Sequence, residues 1–363
     1  MSLIGTGLKL LPKNYKKKLW FLSTLQTIKF ILELFSIGSV IPLIYILAKG
    51  QAQFINLIRD SNFSSFLPEI IFNQDYFILS FIFLIIITFL IKLIFVIFST
   101  YIEQQWVEGL NAQMSTNLFK YYLDDLSNLS LRKSHSQIRN ITSEINIYCK
   151  FFARSIILGS SEILKLIGIT IVLFFIDPTI LFAGIVSISI LLFIFFKLLK
   201  KKAEHYGKKR MNNSGLLLKY VSEGLHSIKE IKLSNNPQFF VEKFELYAKD
   251  NANVQTRFNL LTVIPRLCIE FFAIFILCAL VFYLSNFYSS DISSALFKLG
   301  VYVAIFSRII PSANLLNTFM QHILFAKSSI GILDKEFSSN NNKHGIIKTN
   351  KTFKAEQIKN IIF

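Results

Sequence analysis

Charged side chains stand inside otherwise apolar stretches of this sequence: Glu33, Lys92, Glu162, Lys165, Arg266, Glu270 and Arg308. An ionised group at the centre of a bilayer costs about 2.5–3.5 kcal/mol on insertion scales, so such groups pair or face a watery cavity. Glu162 and Lys165 are three apart, and Arg266 and Glu270 four apart, so each pair can meet on one helix face. Arg308 differs, because no acid lies within a turn of it and Pro311 follows. A proline inside a helix removes a backbone bond and tends to kink it. A cation beside such a kink can bind phosphate, for which the planar guanidinium fork is suited. Two readings stay open: Arg308, with Arg266 and Lys92, lines a cationic cavity for a phosphate-bearing substrate, or the charges pair between helices, for instance Arg308 with Glu33. Lys29 and Arg154 lie near enough to an interface to snorkel.

Other chemistry is sparse. Cys149, Cys268 and Cys278 show no C-x-x-C spacing, and His135, His205, His226, His322 and His344 are scattered without ligand spacing. Small buried hydrophobes are the better reading of the cysteines, and no metal is expected. "YGKKRM" (206–211) is not a phosphate loop, since it lacks the leading Gly and the Ser/Thr after Lys. "GTG" (5–7) has no strand or helix to frame it.

The elements that must carry these residues are apolar. Of 363 residues 53% are hydrophobic and only 17% charged, against about 25% charged in soluble domains. A span needs about 20 apolar residues, and six stretches qualify: about Leu19–Leu47, Tyr76–Tyr101, Phe152–Ile176, Thr179–Leu199, Asn259–Ser285 and Ala295–Ala326. The N-terminal stretch is basic, but the apolar run after it is too long for a signal peptide. The net charge of +17 gathers beside the spans, as in a membrane protein, which argues against nucleic acid as the partner.

Lys/Arg asymmetry orients the spans. Lys9, Lys13, Lys16, Lys17 and Lys18 precede the first, "KLLKKKAEHYGKKR" (197–210) follows the fourth, and Lys120, Arg132, Lys133, Arg139 and Lys150 lie between the second and third. The remaining connections are poor in cations, so both termini are expected in the cytoplasm. The inside connections, about Ile102–Phe151 and Lys197–Phe258, lack Gly/Pro clusters and keep helical apolar spacing, as at Leu216, Tyr220, Val221, Leu225 and Ile228. Unstructured loops of that length are uncommon. Spans two to five are therefore expected to run on into the cytoplasm as long helices joined by short ones.

This layout resembles the transmembrane domain of an ATP-binding-cassette exporter, over nearly the whole chain. "SHSQIRNITSEIN" (134–146) is similar to the family's first intracellular loop and "VSEGLHSIKEIKLSNNPQFFVEKF" (221–244) to its second. The resemblance implies an all-α membrane protein of six transmembrane helices with long cytoplasmic extensions and two coupling helices, near Ser134–Ile141 and Asn212–Gly224. It assigns coupling to Ser134, Gln137, Ile138, Arg139, Tyr220, Glu223 and Gly224. "LLPKNYKKKLWFL" with "LELFSIGSVIPLIYIL", "VIPRLCIEFFAI" and "FSRIIPSANLL" look like the lipid-linked oligosaccharide flippase branch. Drug, peptide and lipid exporters of the same fold remain alternatives, as does a non-transporting remnant. In the flippase reading the cationic cavity of Arg308, Arg266, Lys92 and Glu33 would meet the pyrophosphate of a polyprenyl-linked glycan.

At the C-terminal end, Ile358, Asn360, Ile361 and Phe363 of "KAEQIKNIIF" fit the first strand of the family's ATPase domain. No G-x-x-x-x-G-K-[ST] occurs in these residues, so no phosphate cradle can form from them and no ATP hydrolysis is expected of them alone. The expected division is an interfacial N-terminal helix (1–18), the six-helix domain (19–330), a flexible linker (331–353) containing "SSNNNKHG", and the opening strand (354–363). ATP and Mg are expected on a partner or adjoining nucleotide-binding domain. The implied partners are that ATPase, a second copy of the transmembrane domain and membrane lipids. The implied place is a bacterial cytoplasmic membrane.

Overall fold

The computed structural model describes residues 3–39, 45–46, 74–124, 134–176, 178–287 and 292–347. The elements are α1 (Leu3–Lys9), α2 (Lys13–Gly38), α3 (Gln74–Asp124), α4 (Ser134–Arg139), a π-helical turn (Asn140–Glu144), α5 (Ile145–Ile147), a second π-helical turn (Tyr148–Ala153), α6 (Arg154–Ile176), α7 (Pro178–His226), α8 (Ile228–Leu233), α9 (Pro237–Phe287), α10 (Ile292–Phe325) and α11 (Lys327–Ile347). No strand occurs among the described residues. The stretch "KAEQIKNIIF" and Asp177 lie outside them.

Helix α3 shows how one sequence serves two solvents. It runs 51 residues, about 75 Å at about 1.5 Å per residue, against a hydrocarbon layer of about 30 Å. Its first half is nearly all Ile, Leu and Phe, and Leu79, Phe83, Ile86, Leu90, Ile94 and Ile97 are exposed. Its second half is polar overall yet holds the buried face Trp106, Val107, Leu110, Met114, Leu118 and Tyr121, with helical spacing. Apolar surface of that extent is explained by lipid, and the packed core by water beyond it. Among the described residues, Lys13–Ser36 and Phe81–Asp124 are long and apolar enough to cross a membrane. The long-helix expectation holds for α7, with 49 residues, and α9, with 51. Proline opens both, at a position where its missing N–H costs nothing.

The main core joins the second half of α3 to α1, α2, the 145–157 region and α11, around the fully buried Tyr148 and Phe152. A second core, Ala203, Phe258, Leu261, Leu324 and Phe325, joins α7 and α9 to the end of α10. Helix α2 packs on α3 and α6, and α10 packs on α6, α7 and α9.

Two expected boundaries shift. The short helix between α7 and α9 lies at Ile228–Leu233, not within Asn212–Gly224, which is continuous α7. Gly224 does not break the helix. The break comes at Ser227, and again where Asn235 takes a left-handed conformation (φ 52°) just before Pro237. Residues 331–347 of the expected linker belong to α11. Buried Ser329, Ile330 and Leu333 anchor that helix, and the Ser/Asn-rich stretch continues its ladder.

Candidate functional site

The described in-span charges do not stand alone. Lys165 on α6 lies 2.8 Å from Glu162, a turn earlier, and 3.1 Å from Glu33 on α2. Lys92 on α3 lies 3.9 Å from Glu33 and donates a hydrogen bond to the Ser36 hydroxyl at 3.1 Å. Two acids and two lysines thus neutralise one another where α2, α3 and α6 meet, mostly shielded from solvent. This supplies the pairing that burial in hydrocarbon demands. Glu33 thus meets both lysines, and its proposed pairing with Arg308 involves a side chain outside the described residues.

Arg266 donates to Glu270 on its own helix at 2.9 Å. Unlike the first cluster, this pair is open: the side chains are 65% and 40% exposed, on a face of α9 that also presents Val263 and Ile274. An ion pair is costly against lipid, so that face suits a water-filled path or a second protein surface.

The ends of the long helices away from the exposed apolar stretch of α3 form the third region. On α4, Ser134 and Ile138 are exposed, and Arg139 turns inward to bond the Asn140 side-chain oxygen at 3.2 Å. Gly215 of α7 makes room for it, since a Cβ there would sit 2.6 Å from the guanidinium. Tyr220, Glu223 and Gly224 occupy the last turns of α7. Tyr220 stacks on Tyr247 of α9, with ring centroids 5.6 Å apart, and Glu223 pairs with Lys219. Tyr220 and Gly224 line an apolar cavity of about 460 Å³ with Leu225, Ile228, Phe240 and Phe244. Leu225 and Ile228 of its lining, and Leu233 at the end of α8, are exposed and carry apolar surface into water. Asp250 of α9 ties back to α7 through Lys209 at 2.8 Å and Asn213 at 3.0 Å, and these bonds hold its carboxyl below the usual range.

One arrangement is not legible from sequence. Arg210, which reads there as one more topology-setting cation, is buried on α7 and donates to Glu144 at 2.7 Å and to Ser329 at 3.2 Å. Ser329 in turn donates to Glu144 at 2.5 Å. The available signal is its register, since Ala203, Gly207, Arg210 and Asn213 repeat every three to four residues on one buried face. The π-helical turns put Asn140, Glu144, Tyr148, Cys149 and Phe152 on the inner side of the segment. Such turns are often found at functional sites.

Long helices that expose apolar side chains at one end, pack into a core at the other and are joined by short helices there have the form of a membrane domain. Residues 41–310 match the ABC transporter transmembrane region, and the chain belongs to that family. It is an integral membrane protein of the ABC class. No curated protein matches the chain in sequence.

Proposed function

We propose that the chain is the membrane-spanning half of an ATP-driven exporter that translocates a lipid-linked oligosaccharide or a related amphipathic substrate. The observation that carries the exporter reading is the α7–α8–α9 hairpin. Two helices of 49 and 51 residues reach well past a bilayer and end in a short helix with Leu225, Ile228 and Leu233 exposed. Apolar surface held so far from lipid needs a protein cover, and an ATPase domain supplies both cover and energy. The tip of α4, with Ser134, Gln137 and Ile138, would make the second contact. ATP and Mg would bind on the ATPase, since these residues contain no phosphate loop.

Transport would follow from a bistable bundle, with the long helices as levers. The open face of Arg266 and Glu270 supports a second copy of the domain, which would enclose the path. Within it Arg308 and Arg266 would meet the diphosphate, the forked guanidinium being matched to phosphate oxygens. Lys92 and Glu33 would border that path, with their charges offset by the cluster. Both termini would lie in the cytoplasm of a bacterial cell.

The test is co-expression with a candidate ATPase chain, reconstitution in vesicles, and assay of ATP hydrolysis and lipid flipping. ATP-dependent flipping of a polyprenyl-diphosphate lipid that falls at least tenfold in Arg308→Ala is the expected result. Flipping unchanged in Arg308→Ala would remove the anion role. Preference for a drug or peptide would move the chain to another branch of the fold.

A further inference from the structure

Glu144, Arg210 and Ser329 come from three separate stretches of chain and meet in one buried joint. Glu144 ends the π-helical turn after α4, Arg210 lies in the second half of α7, and Ser329 is in the first turn of α11. The Glu144 and Ser329 side chains are fully buried and Arg210 nearly so. One carboxylate oxygen, Oε2, takes both bonds, from Arg210 at 2.7 Å and from Ser329 at 2.5 Å. The surroundings hold the joint shut. Phe325, the last residue of α10, lies under the Arg210 guanidinium at 5.7 Å. One turn earlier on α7, Gly207 lets the Phe325 carbonyl come so close that a Cβ would fall 2.2 Å from it.

The other carboxylate oxygen, Oε1, is buried without a hydrogen-bond partner among the described residues, and so is Nε of Arg139. These two atoms belong to an ion pair at 3.8 Å, too long for a hydrogen bond, whose usual limit is about 3.2 Å. A shift of α4 by roughly 1 Å would close it and satisfy both atoms. Glu144 therefore faces α7 and α11 with one oxygen and the end of α4 with the other.

We propose that Glu144 and Arg210 are positioning residues for coupling. The joint makes α11, and through it the end of α10, follow displacements of α4, with Arg139 closing on Glu144 as α4 moves. Nothing in this role touches substrate or nucleotide. The coupling part rests on the exporter reading above; the mechanical part, docking of α11, does not.

The experiment uses two readouts on the full chain with its ATPase, in vesicles. Amide hydrogen exchange of α11 reports docking. Substrate flipped per ATP hydrolysed reports coupling. Ser329→Ala keeps the Arg210–Glu144 pair and removes only the link to α11, so it should fold. Arg210→Lys keeps the charge and loses the fork. Both should raise exchange in the first turns of α11 at least tenfold. Both should lower the flipped-to-hydrolysed ratio severalfold, with basal hydrolysis within twofold of wild type. Exchange unchanged in both variants overturns the joint. Faster exchange with an unchanged ratio overturns the coupling role. A wild-type chain with no ATP-linked flipping sinks the exporter reading and with it the coupling claim, while exchange still decides the joint.

Discussion

Gly207 of α7 and the carbonyl of Phe325, at the end of α10, are in direct contact, with space for a hydrogen and no more. Backbone, unlike a side chain, cannot swing aside. Gly207→Ala should therefore force α7 and α10 apart and destabilise the folded chain by about 3 kcal/mol, the upper range for overpacking. Gly331, also helical, has nothing within 4 Å of the place a Cβ would occupy. Gly331→Ala should be neutral or stabilise by up to about 1 kcal/mol through helix propensity. Thermal unfolding of the two variants in the same detergent checks the contrast; similar melting temperatures would contradict it.

The Glu33–Lys165–Glu162 contacts give a second expectation. Lys165→Met leaves two carboxylates close together with one of their cations gone. A loss of about 3–5 kcal/mol is expected, as for other broken buried pairs. Adding Glu162→Gln should recover a large part of it, because the remaining charges are again balanced. Folded yield and melting temperature of the single and double variants decide; no recovery would mean that the cluster does not act as a neutral unit.

Burial pushes the Cys149 thiol well above its ordinary value, with Glu108 adding to the effect. Cys149 lies before α6, outside the expected spans. A maleimide at pH 8 should leave it unlabelled in the folded protein and label it in denaturant. The folded chain keeps the thiol proton after the unfolded chain has lost it. Stability is therefore full below about pH 9, where the unfolded thiol titrates, and falls above it. Burial pushes Tyr148 upward too and adds to the alkaline loss. Melting temperature at pH 8 and pH 10.5, in wild type and Cys149→Ala, measures the effect, and the variant should lose less on going alkaline.

Leu233, 87% exposed at the end of α8, is expected to act only in assembly. Leu233→Ser should leave the melting temperature of the isolated chain within about 1 °C, since surface changes usually stay within ±0.5 kcal/mol. It should weaken capture of the ATPase chain about tenfold, in line with loss of an apolar anchor. Unchanged capture would place the ATPase elsewhere.

The long helices are legible in the sequence because 50–60 residues without Gly/Pro clusters leave few alternatives to continued helix. The short helix opening at Ser134 is expected from the family resemblance and not from local spacing. The position of α8 is not legible: the resemblance puts the short helix near Asn212–Gly224, yet the apolar spacing from Leu216 to Leu225 carries α7 past Gly224. The helicity of 331–347 is hidden by Ser and Asn, whose propensity yields to the anchoring of Ile330 and Leu333. Arg210 is hidden by its own type. In a basic segment next to a span, charge reads as topology, and only register with Ala203 and Gly207 marks it as interior. The pairing of Glu33 with Lys165 joins residues far apart in sequence, which spacing along one helix cannot reveal.

The two halves of α3 should also tolerate change differently. From Leu79 to Ile97 the outward side chains need only be greasy, and Ile, Leu, Val and Phe should exchange freely there. From Trp106 to Tyr121 the buried side chains fill fixed space against α2 and the 145–157 region, so the same exchanges should be penalised there. A saturation library read along this single helix would show a selection for composition giving way to a selection for shape, and the crossover would mark where the bilayer ends.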